Sequence, residues 1–129
     1  MGTKLEAMLA QADQVARSDI KQAVNLFGQG VNEAFAGEYP NSERGIALLL
    51  LALTERKAGS QEQAQATIAR LLVFCGRTGE MGVFAALREH AALEDCRQIL
   101  TLYCPADASV DETLGLLTGL DKMLPAATE

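Results

Sequence analysis

Residues 47–72 read "ALLLLALTERKAGSQEQAQATIARLL". An apolar run gives way to a charged segment, a glycine and a serine, and then Ala64, Ile68 and Leu71 fall on one stripe of a second helical pattern. Gly59 is placed to end the first helix and Ser60 to cap the second. The stretch is a helical hairpin. Its small residue, Ala64, and the large one a turn later, Ile68, let neighbouring helices approach and interlock.

The same punctuation extends in both directions. Leu5, Met8, Leu9, Ala12, Val15 and Ala16 keep a helical period, and Ser18 or Asp19 is expected to cap a second helix to about Ala36 with Ile20, Ala23, Val24, Phe27, Val31 and Phe35 on its apolar face. In "GEYPNS" Gly37 is expected as a left-handed C-cap, Pro40 as a stop, and Asn41 or Ser42 as the cap of a third helix to Ala58. The fourth helix is expected to close near Gly76, and Thr78 to cap a short fifth over roughly 79–89. A sixth covers roughly 92–103, and a seventh runs from a Ser109–Glu112 capping box to Pro125. Strand signals are almost missing. The expectation is one all-α domain over residues 1–125 with a loose tail at 126–129.

Three segments align after their breaks: 18–27, 59–68 and 91–100. Each carries a small residue five positions in (Ala23, Ala64, Cys96) and a large one four further on (Phe27, Ile68, Leu100). This pattern resembles the tetratricopeptide repeat, a helix-turn-helix unit of about 34 residues. In residues 47–72, Leu48, Leu51 and Ala52 match its first helix, Gly59 its terminating small residue, and Ala64, Ile68 and Leu71 its second. Residues 4–36 and 77–104 are degenerate units without the family's aromatic residues.

The resemblance implies about three stacked antiparallel hairpins and a seventh, capping helix. It also implies a groove lined by the first helix of each hairpin: Leu5, Met8 and Leu9, then Ile46, Leu49 and Leu53, then Met81 and Ala85. These positions are aliphatic and lack the cationic, asparagine-rich clamp of some co-chaperone members. They are similar to the grooves of small secretion chaperones, which implies a cytoplasmic, non-catalytic adaptor or chaperone that binds an apolar peptide or helix of a client protein. The same side chains also suit a core or a permanent homo- or hetero-oligomer.

Composition narrows the alternatives. The net charge is −6, the eleven Lys/Arg residues are scattered and aromatics make up 5%, so the basic, aromatic face of a nucleic-acid binder is not expected. The run Gly45–Leu53 is less than half of the roughly 20 residues a membrane span needs. Cys75, Cys96 and Cys104 follow no secretory leader and are read as reduced thiols. With His90 they match no zinc spacing and no nucleophile motif, so no metal, cofactor or catalytic residue is expected. The enzymatic alternative is a ligand-binding bundle that uses His90 and a cysteine.

Overall fold

The computed structural model describes residues 3–104, 106 and 109–124. Among them are seven helices: α1 (Lys4–Val15), α2 (Ile20–Ala36), α3 (Asn41–Lys57), α4 (Gln61–Thr78), α5 (Met81–Arg88), α6 (Leu93–Tyr103) and α7 (Val110–Met123). The all-α expectation holds, and the arrangement is compatible with a helical-repeat-like fold. Pro105, Pro125 and the tail at 126–129 lie outside the described residues.

Local chemistry explains most boundaries. Thr3 and Glu6 form a reciprocal capping box at the start of α1, Thr3 Oγ1 accepting from the Glu6 amide at 3.1 Å and Glu6 Oε1 accepting from the Thr3 amide at 3.0 Å. Asp19 caps α2 by accepting from the Gln22 amide, and Ser109 caps α7 by accepting from the Glu112 amide. Gly59 takes φ +85, the left-handed conformation that ends α3 and that a side chain would strain.

Four expected boundaries are corrected. Thr78 belongs to α4 and donates to the Phe74 carbonyl, while Gly79, at φ +74, supplies the left-handed cap. The helix runs through Gly76 to Thr78, and α7 lies beside that glycine at ordinary contact distance, with Thr113 and Leu116 at 3.4 and 3.6 Å from where a Cβ would stand. Gly37 is extended, not left-handed, and its bare Cα leaves room for the Tyr39 ring. Pro40, not Asn41 or Ser42, is the N-cap of α3, its carbonyl accepting from the Arg44 amide, whereas Ser60 stands at the N-cap of α4 as expected and caps through its carbonyl, which accepts from the Ala64 amide, without a side-chain bond.

The small and large residues of the repeated spacing, Ala23, Phe27, Ala64, Ile68, Cys96 and Leu100, are all buried. In α1–α4 each helix packs extensively on its chain neighbours, with α3 on α4 the largest contact. Beyond α4 the order changes. α6 and α7 both lie on α4, α5 crosses α3 and α4, and α5 and α6 make no substantial contact. The third expected hairpin is therefore not a tight pair: α5, only 8 residues long, spends its apolar face on Gly45 of α3, whose missing side chain admits Val83. Arg88 pairs with Asp121 and ties α5 to α7.

Candidate functional site: an aromatic trench between α2 and α4

α2 and α4 flank α3 and leave a trench between them, floored by Leu48, Leu51 and Glu55. One cavity, of about 310 Å³, is walled by Phe35 of α2 and by Val73, Phe74 and Arg77 of α4. A second, of about 400 Å³, is polar and opens beside Asn25, Gln29 and Asn32 of α2 and Gln63 of α4. The two meet at Arg70, which lines both. From Val24 to Phe35 the trench follows eleven helical steps, about 16 Å.

Its order comes from aromatic contacts. Phe35 and Phe74 meet edge to face, with centroids 5.4 Å apart and rings at 79°, an arrangement that contributes about 0.5–1.5 kcal/mol beyond buried area. The Arg70 guanidinium sits over the Phe35 ring at 5.0 Å and that of Arg44 at 5.7 Å. Arg44 is spent structurally, donating through Nε to the Ala34 carbonyl and through an Nη to the Gly37 carbonyl, both at 2.8 Å. Arg70 is exposed and, among the described residues, pairs with no carboxylate. Gly28 lines the polar end inside α2, where a Cβ would meet nothing within 4 Å, so no intramolecular contact explains it.

Glu55 is the buried acid of the trench floor. Burial pushes its carboxyl up from the usual carboxylate range, opposed by the Thr67 hydroxyl, which donates to Oε1 at 2.7 Å.

The expected groove residues are placed differently. Leu5 and Leu49 belong to the core, Leu49 being 7% exposed, because α1 packs on α2 and α3 is covered on several sides. Met8, Leu9, Leu53, Met81 and Ala85 are half-buried, and Leu9 is drawn over Gly30, where a Cβ would stand 2.8 Å from its Cδ2. Ile46 alone of the eight is truly exposed, at 44%. The structure brings three of them together: Leu5, Leu9 and Ile46, with Glu6 and Glu43, line a cleft of about 190 Å³ between α1 and α3. Glu43 Oε1 is buried there without a hydrogen-bond partner.

Two of the three thiols named for the enzymatic alternative are buried. Burial raises Cys75 to about 12 and Cys96 to about 11, so both are protonated at neutral pH and poor nucleophiles. His90 lines a polar cleft with Arg56, Gln61, Asp95 and Gln98, and no cysteine lines that cleft. Among the described residues no three His, Cys, Asp or Glu side chains are grouped to hold a metal ion, and no helix is long and apolar enough to cross a membrane.

Comparison with protein-family models, with curated proteins and with solved structures finds no match to this chain.

Proposed function

We propose that this protein is a non-catalytic interaction module, an adaptor or chaperone for another polypeptide, and that the α2/α4 trench receives an apolar segment of its partner flanked by carboxylates. Arg70 carries this reading. It is held by the Phe35 ring at the junction of an aromatic pocket and a polar channel, and it lacks an internal carboxylate partner. A guanidinium already ordered by stacking loses little freedom when it accepts a carboxylate as a bidentate pair. The adjoining cavity is roomy enough for one large apolar side chain against Phe35 and Phe74. The trench length suits about eleven residues of helix or five of extended chain. Resemblance to tetratricopeptide secretion chaperones supports the class of function, and the buried thiols of Cys75 and Cys96 suit the reducing cytoplasm of such proteins.

A second reading places the partner in the α1/α3 cleft, where exposed Ile46 and the unpartnered Glu43 oxygen favour an apolar segment carrying a cation. The two readings demand opposite charges. Selection of displayed peptides on the wild type is expected to enrich an aromatic or aliphatic anchor beside Asp or Glu. Affinity for those peptides should fall at least about tenfold in Arg70→Glu and in Phe74→Ala, and stay unchanged in Ile46→Asp. Enrichment of Lys or Arg, lost in Ile46→Asp and kept in Arg70→Glu, would transfer the function to the α1/α3 cleft.

A further inference from the structure

Given that the α2/α4 trench receives the partner, we infer that its polar half holds an extended segment by the main chain, with Asn25, Gln29 and Asn32 on one wall, Gln63 on the other and Glu55 beneath.

Glu55 is the feature that calls for an occupant. It is only 7% exposed and lines the polar channel. The Thr67 hydroxyl donates to Oε1, whereas Oε2 has no hydrogen-bond partner among the described residues and is not sealed from solvent. No Lys or Arg pairs with it there. Taking a carboxyl out of water is costly, and a neutral side chain of similar size would fill the floor without that cost. An acceptor kept at the expense of stability, with one oxygen open to a channel, has the placement of a ligand contact.

The walls supply matching groups. Asn25, Gln29 and Asn32 follow one another at four and three residues, so they form one ridge along α2, and Gln63 of α4 lines the same channel. All four side chains are exposed, and none makes a side-chain hydrogen bond among the described residues. An amide side chain both donates and accepts, as a peptide group does. These walls carry no ring and, short of Arg70, no charge that would select a particular side chain. Asn25, Gly28 and Asn32 are also poor helix formers, and the missing Cβ of Gly28 leaves the channel open.

Size favours extended chain over helix. From Asn25 to Asn32 there are seven helical steps, about 10.5 Å, the length of about three extended residues. The step from Asn25 to Gln29 is about 6 Å, close to the roughly 6.6 Å between peptide groups that point the same way along a strand. A helix of that length, about 10 Å across, fills about 800 Å³. That is twice the channel's volume of about 400 Å³, and a helix has already paired its own peptide groups.

An N-methyl scan of the peptides enriched in the selection above tests this, with affinity for the full chain read by calorimetry. On the side of the anchor that enters the polar channel, affinity is expected to fall about tenfold at every second peptide nitrogen, the period of a strand. Alanine at the same positions should change it less than about threefold, because the main chain and not the side chain is held. Gln29→Leu should weaken binding about tenfold while its thermal melt stays at or above that of the wild type. Glu55→Gln should weaken it similarly, since its amide nitrogen then faces the partner's N–H. Losses at consecutive nitrogens, or tighter binding when the helix former α-aminoisobutyrate is placed there, overturn the extended geometry and leave the trench in place. So does a scan without effect, or a required Lys or Arg at these positions, which would make Glu55 the partner of a cation. A wild type that selects no peptide defeats the trench reading and this inference with it.

Discussion

In α1–α4 each helix rests on the ones before and after it in the chain, whereas α6 and α7 rest mainly on α4, α5 on α3 and α4, and the three little on each other. Both regions contain the same spacing, Ala64 with Ile68 in α4 and Cys96 with Leu100 in α6, and both pairs are buried. A small residue followed a turn later by a large one thus specifies that a helix will be closely packed, and leaves open which helix packs there. In the first region short connections make the chain neighbour the partner. In the second, α5 is too short to cover α6, and a glycine on an earlier helix provides its seat: Gly45 for Val83 of α5.

If α4 joins the two regions, the largest effect should come from its centre. Leu72→Ala, at a fully buried position, is expected to cost about 2–5 kcal/mol in urea unfolding, with one transition reported alike by probes in α2 and α7. Two separated transitions would break the comparison by making the regions independent units.

The glycines should respond with opposite signs. Gly45→Ala would place a Cβ 2.9 Å from Val83 Cγ2, and the overpacking is expected to destabilise by about 1–3 kcal/mol, part of it returned by helix propensity. Gly28→Ala meets nothing and should gain up to about 1 kcal/mol. Thermal melts of both variants sharpen the distinction between a glycine that seats a helix and one that lies in the open trench. Equal shifts would erase it.

The smallest effect concerns Glu55. Because burial raises its carboxyl in the folded protein, the folded state holds that proton to higher pH than the unfolded chain does. Stability from this group is therefore full below the unfolded value and falls as pH rises through the folded one. Glu55→Gln should raise the melting temperature at pH 7 and leave it unchanged near pH 3.5, about where the unfolded carboxyl is protonated. A destabilised variant at pH 7 would mean that the Thr67 hydrogen bond outweighs burial.

The seven helices could be read from period and punctuation because both are local properties of the chain. Asp19, Gly59 and Ser109 act where the sequence places them. Gly37 departs from the left-handed cap expected of it because its bare Cα serves a neighbour, the Tyr39 ring. The trench was not legible for a related reason. Phe35 appeared only as part of an apolar face, and its contacts with Phe74 and Arg70 join helices separated by all of α3. The sequence offers one signal for it: residues 43–77, which hold Arg44, Arg70 and Arg77, carry a small net positive charge in an acidic chain. Conversely, Leu5 and Leu49 carry the period of a groove but are core, because periodicity identifies an apolar face and not whether another helix covers it.

The most direct measurement is two-dimensional amide NMR of the labelled protein titrated with an acid-flanked aromatic peptide from the selection. The expected result is saturable shifts concentrated on the α2 and α4 residues around Phe35, Arg70 and Phe74, and their loss in Arg70→Glu with the rest of the spectrum preserved. Shifts confined to α1 and α3 around Ile46, or an unchanged titration in Arg70→Glu, would contradict the trench as the site of recognition.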